Sequence, residues 1–268
     1  MEVFEPFSVG IDASILQDEF TAGIMIFRQF FDPKTQRLSY LLADPVTRTA
    51  AVVDPMPATV GSVLETIARL GLSLQYILVT CIHLDHDHAV LALKAVTDGR
   101  VVLHELASNV QADVRTREGD TLYFGEETLK VIHTPGQSPC AVTYWWRDRL
   151  FTGETLLAGG VGICAPQNSN ITQLYRSITS RLLTFPGEYL VYPGREFKGR
   201  RVSTIEETLR CCPWFYTGRR VSAFARACSR ILPNWHPELN EELPSLPIRH
   251  VANPVTGGST RRCRGYPK

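Results

Sequence analysis

The apolar run QYILVT at Gln75–Thr80 ends on CIHLDHDH, eight residues that hold one Cys, three His and two Asp. The run is short and β-branched, so it reads as a buried strand. Polar groups this dense cannot follow it into an apolar core, because burying one without a partner costs roughly 2–7 kcal/mol. The chain must therefore leave the sheet at Cys81, and the strand's end becomes a site. Cys81, His83 and Asp85 stand two apart, so in an extended loop they project to one side, and His86 turns in as a helix begins. Thiolate, imidazole and carboxylate are the groups that bind zinc or iron. These four residues are the candidates for a metal or catalytic site, with Cys81 and Asp85 the catalytic candidates. Asp87 reads as a helix cap and His88 as solvent-facing.

The surrounding pattern alternates strands and helices. Ile24–Phe31 is strand-like, and Ser39–Ala43 with Ala50–Val53 brackets DPVTRT, which has the Pro and Thr of a turn. Val60–Leu70 has helical apolar spacing and Gly71 stops it. A helix is expected over Asp87–Val96, then strands at Arg100–His104, Thr121–Phe124, Leu129–Ile132, Ala141–Trp146 and Leu150–Thr152. Ile171–Leu183 reads as a helix, Tyr189–Tyr192 as a strand and Thr204–Cys212 as a helix. This order, without a 20–50-residue repeat, predicts a mixed α/β or α+β sandwich. Beyond Pro213 the prolines at 233, 237, 244, 247 and 254 break the pattern. The expectation is one domain over 1–212 with a Pro-rich C-terminal extension, 213–268, packing on it or trailing from it.

Net charge is +1 over 268 residues, which gives no general attraction to nucleic acid or anionic membrane. No apolar run approaches the ~20 residues of a membrane helix. The opening MEVFEPFSVGIDASILQDEF is acidic and lacks the basic-then-apolar order of a signal peptide, so a cytoplasmic location is expected. Seven cysteines, an odd number with none in a CxxC pair, read as reduced thiols, with Cys211 and Cys212 packing near a helix end.

The stretch Thr80-Cys81-Ile82-His83-Leu84-Asp85-His86 resembles the T-H-x-H-x-D-H motif of the metallo-β-lactamase superfamily. FRQFFDPKTQRLSYLLADPVTRTAAVVDP is similar to the opening of persulfide dioxygenases, which share the glyoxalase II fold. HTPGQSPCAVTY at His133–Tyr144 resembles the family's HTPGHTPGCVTY. FTGETLL at Phe151–Leu157 is similar to FTGDTLL, and VYPGREFKGRRVSTIEE at Val191–Glu207 to YPxHDYxG…VSTxxEE. The resemblance spans about residues 24–210 with its motifs in order. It implies an α+β fold, the αββα sandwich with its metal held by loops at one edge of the sheets. In persulfide dioxygenases two His and one Asp hold one iron(II), leaving open positions for O2 and glutathione persulfide, whose oxidation yields sulfite and glutathione. Glyoxalase II relatives use two metals to cleave a glutathione thioester. The relatives also imply a homodimer, by analogy alone.

Residue by residue, the resemblance also shows what has been exchanged. Cys81 stands at the first His ligand, Gln137 at the His of HTPGH, and Glu154 at the carboxylate ligand. Arg195 stands at the His that serves a second metal in the hydrolases. His83, Asp85 and His86 match the motif. The implied metal set is thus Cys81, His83, Asp85, His86, Gln137 and Glu154, with Arg195 as a second-site cation. Gln137 is the severe change, since an amide oxygen is a poor donor to a transition metal. Losing a group that merely supports a ligand costs roughly 10–100-fold in affinity, and losing a ligand costs at least that. Arg195, a permanent cation, should repel a second metal and pair with Asp85 or Glu154.

Iron(II), zinc(II) and no metal all stay open on this pattern. One reading is a persulfide dioxygenase-like enzyme of sulfur metabolism with a rebuilt one-metal site. Another is a non-catalytic thiol- or persulfide-binding or regulatory pseudoenzyme, in which Cys81 itself carries sulfane sulfur. The third, a glutathione thioester hydrolase, is weakest. The partner in each is a small thiol or persulfide such as glutathione, with Lys198 and Arg200 as substrate-binding candidates for its carboxylates; the plainer role of both is surface charge.

Overall fold

The structure is a computed structural model that describes residues 25–82, 84–108, 110–162, 169–215 and 221–231; of residues 84–87, 213, 227 and 229–231 only the backbone is described. Two six-stranded sheets form its centre. The first runs β1 (Ile26–Asp32), β2 (Arg37–Ala43), β3 (Thr49–Val53), β4 (Ser73–Leu78), β5 (Arg100–His104) and β6 (Val114–Thr116), in that spatial order. Hairpins join β1, β2 and β3, so they pair antiparallel. The second turn is the DPVTRT segment. Its Asp44 carboxylate accepts from Val46 N at 2.9 Å and Thr47 Oγ1 at 2.6 Å, and Arg48 takes φ 59°.

From β3 onward the pairing is parallel, which needs crossover helices. Helix α1 (Val60–Leu70) makes the first crossover. Its Val63 and Ile67 pack on the sheet, and Gly71 at φ 61° closes it by donating to Ala68 O. Helix α2 (Leu84–Val96) makes the second and buries Val90 and Leu93 on the same face. It starts three residues before the Asp87 expected from sequence. Asp85 and His86 therefore lie in its first turn, and the extended two-residue spacing drawn through Asp85 does not form.

The second sheet has the order β12 (Ser203–Thr204), β11 (Leu190–Pro193), β10 (Arg149–Gly153), β9 (Val142–Trp146), β8 (Glu127–His133) and β7 (Thr121–Phe124). Period-two alternation sends Leu129, Val131, Val142, Tyr144, Trp146 and Phe151 inward against Tyr40, Leu42, Val53 and Leu78. On its outer face lie α3 (Ile171–Ser177), α4 (Ile205–Cys211) and α5 (Val221–Ile231). The layers are helix, sheet, sheet, helix.

Four further elements differ from the sequence expectation or were not foreseen in it. The helix foreseen over Ile171–Leu183 is α-helical only to Ser177 and continues as a π turn, Ile178–Leu182. The short strands β6 and β12 carry too few residues for a periodic signal. Helix α5 lies within the segment read as an extension, and its described part packs on the domain: Phe224, fully buried, has its ring 5.3 Å from Tyr175 and 5.5 Å from Phe215.

Candidate functional site

The loops after β4 and β10 and the loop between β8 and β9 meet at one edge of the sandwich, around Thr80. Asp54, directly after β3, holds the left-handed conformation at φ 49°. Its carboxylate accepts from Thr80 N and Thr80 Oγ1, both at 2.7 Å, and Ser39 Oγ donates to its carbonyl at 2.8 Å. Gly153 presses on the same threonine. At φ 53°, a Cβ on Gly153 would stand 2.3 Å from Thr80 Oγ1, so only glycine ends β10 here. Val142 N donates to Thr80 O at 2.9 Å, which brings the β8–β9 loop alongside.

This frame buries Cys81 to 4% exposure with two polar neighbours. Its Sγ lies 3.0 Å from Gln137 Oε1 and 3.0 Å from Ser138 Oγ. The same hydroxyl is 3.4 Å from Cys140 Sγ, on the half-buried side of the loop. An amide oxygen only accepts, so in that contact Cys81 is the donor. Its hydrogen bond with Cys140, and then burial, push the Cys81 thiol well above the ordinary range. Cys140 moves the other way, down to about 5, because Cys81, Ser138 and the Ile82 N–H bond to its sulfur. The contacts the two sulfurs share thus shift them in opposite directions.

Glu154 follows Gly153 and turns to a different pair of partners. Arg195 brings Nε and Nη2 to 3.4 Å from Oε1, and Arg37 Nη2 lies 3.6 Å from the same oxygen. Arg195 also donates from Nη1 to Thr35 O at 3.2 Å, and the backbones of Arg37 and Arg195 bridge as adjacent strands do. The Glu154 and Arg37 side chains are each 10% exposed. Of the two carboxylates foreseen for Arg195, it meets Glu154; the Asp85 side chain lies outside the described residues. Behind Glu154, a Cβ on Gly162 would come within 1.8 Å of the Glu154 carbonyl oxygen, so this backbone is closely packed.

His83 and the side chains of Asp85 and His86 also lie outside the described residues. Among the described donors the fit to an iron(II) triad is poor on chemistry: Gln137 offers an amide oxygen already engaged by a thiol, and Glu154 is claimed by two guanidinium groups. Lys198, at φ 52°, extends over the Phe197 ring at 5.3 Å. Arg200 pairs with Glu207 and donates to Cys211 Sγ at 3.7 Å. Both substrate-binding candidates thus have structural partners. Cys81, Cys140, Cys212 and Cys228 are thiols outside any disulfide, whereas Cys211 is disulfide-bonded, contrary to the reading of every cysteine as reduced. Sequence reading missed Cys140 and Arg37: Arg37 is far along the chain from Glu154, and Cys140, though inside the HTPGQSPCAVTY motif, is far from the Cys81 it joins and stands at no ligand position of that motif.

A model of the metallo-beta-lactamase superfamily matches residues 32–195. The chain belongs to that superfamily. Within the superfamily, it is 34% identical over 193 residues to the mitochondrial persulfide dioxygenase ETHE1 of Mus musculus, covering 71% of this chain and 76% of the relative. The crystal structure of ETHE1 from Myxococcus xanthus superposes with a TM-score of 0.72 at 38% identity, covering 78% of this chain and 92% of that one. A hydroxyacylglutathione hydrolase of Methylobacterium nodulans is 36% identical over 168 residues, covering 61% of this chain and 64% of the relative. The superfamily fold and the kinship to persulfide dioxygenases are both established by these matches. No helix among the described residues is long and apolar enough to cross a membrane.

Proposed function

We propose that this protein handles the persulfide of a small thiol such as glutathione, as its persulfide dioxygenase relatives are named for doing, but does so with cysteine chemistry in place of an iron centre. The observation that carries this reading is the Glu154 carboxylate between Arg195 and Arg37. A carboxylate ligand must turn its lone pairs to the metal, and two permanent cations at its oxygen oppose a dication there. The contact between Cys81 Sγ and Gln137 Oε1 supports the same reading, since the group standing there is a neutral amide oxygen, a poor donor to a transition metal. A glutathione thioester hydrolase, which needs two metals, is disfavoured most by Arg195.

Elemental analysis of protein purified from iron- and zinc-replete cells, with oxygen uptake on glutathione persulfide, tests the proposal. Metal far below one per chain and no oxygen uptake are expected. One iron or zinc per chain with persulfide-dependent oxygen uptake overturns it. The triple substitution Cys81→His, Gln137→His and Arg195→Ala, the last to free Glu154 of one of its two cations, should raise iron content by at least tenfold over the parent if the pocket retains the superfamily's geometry.

A further inference from the structure

We propose that Cys140 and Cys81 form a redox dithiol that takes the outer sulfur of a small-molecule persulfide and expels it as hydrogen sulfide. This rests on the persulfide reading above and assigns the chemistry to atoms.

The two cysteines come from segments of different sheets, the loop after β4 and the loop after β8. They are brought side by side by the Val142 N to Thr80 O bond at 2.9 Å. One hydroxyl, Ser138 Oγ, lies 3.0 Å from Cys81 Sγ and 3.4 Å from Cys140 Sγ. The pair is unequal in access. Cys140 is half-buried, whereas Cys81 is 4% exposed. A ligand entering from solvent meets Cys140 first, and Cys81 attacks only what Cys140 already holds. Gln137 Oε1, accepting from Cys81 at 3.0 Å, keeps that second thiol turned toward the loop.

The chemistry balances in two displacements. Cys140 sulfur attacks the outer sulfur of R–S–SH; the S–S bond of the ligand breaks, R–S⁻ leaves with the electron pair, and Cys140 becomes a persulfide. Cys81 sulfur then attacks the inner sulfur of that persulfide. A Cys81–Cys140 disulfide forms, hydrosulfide leaves, and the proton from Cys81 passes through Ser138 Oγ to it. The persulfide has gained two electrons and the two protein thiols have lost them. Two molecules of a small thiol such as glutathione restore the dithiol and leave as their own disulfide.

The test uses the reduced full-length protein, treated with a chelator and incubated without oxygen with glutathione persulfide, so that neither iron nor dioxygen contributes. The wild type should release hydrogen sulfide, and peptide mapping should find Cys81 joined to Cys140. Cys140→Ser should abolish release. Cys81→Ser should also abolish it while retaining one added sulfur on Cys140. Release by Cys140→Ser at the wild-type level, unaltered release by Cys81→Ser, or sulfide release that leaves Cys81 and Cys140 unjoined in the wild-type map overturns the proposal. The wild-type map stands as a result even where a variant fails to fold. A failure of the metal-free reading shows separately, as stoichiometric iron in untreated protein.

Discussion

Gly153 shows how one residue fixes the pocket. Its positive φ and the 2.3 Å approach of Thr80 Oγ1 leave no room for a side chain. Gly153→Ala should lower stability by at least about 2 kcal/mol, the combined order of backbone strain and overpacking. Urea denaturation monitored by tryptophan fluorescence measures it, and a loss under half a kcal/mol would refute the close packing described. At this scale the sequence was partly legible. The exchanges at Cys81, Gln137, Glu154 and Arg195 were readable from the motifs around them, because those motifs keep their spacing. What Glu154 and Cys81 touch was not. Arg37 and Cys140 reach them only after the chain has folded, and no local pattern encodes a contact across such separations.

Among the elements, α1 was read to the residue, since its apolar spacing and Gly71 are local signals. The start of α2 was not: His83 through Asp87 supply polar groups with no periodicity, and Asp87 carries the chemistry of a cap without its position. The end of β5 offers a test of protonation. His104 is buried and its ring stacks on His133 at 4.1 Å. Burial, and then the His133 ring, lower its pKa from 6.5, against the opposing pull of Glu105, Glu118 and Asp120. A depressed His is neutral in the fold and protonates more readily once unfolded. Stability from this residue is therefore whole above about pH 6.5 and is lost as pH falls below it. The drop in melting temperature between pH 7 and pH 5 should be smaller in His104→Leu than in the parent, by thermal denaturation at matched ionic strength. An equal drop in both would remove His104 from the account.

For the molecule as a whole, alternating strands and helices pointed to the sandwich, and the ordered motifs named its family. The C-terminal boundary was less legible. The prolines past residue 233 dominated the reading and hid VSAFARACSRI, whose Phe224 and Ala225 are buried. That helix completes the outer core rather than trailing from it. Phe224→Ala should cost roughly 3–5 kcal/mol, as for a large core side chain, while leaving sulfide release from glutathione persulfide intact. A cost under one kcal/mol, by urea denaturation, would return the segment to the periphery.

The two sheets are pinned at opposite ends. At one, Asp44 of the β2–β3 turn accepts from Glu126 N at 2.8 Å, against a Gly125 that has no room for a Cβ. At the other, Asp54, Thr80 and Gly153 lock together. Clamped fore and aft, the layers are tied against sliding by contacts at both ends. The spacing of the loops that carry Cys81 and Cys140 is therefore set by the frame itself and not by any swing of one half against the other.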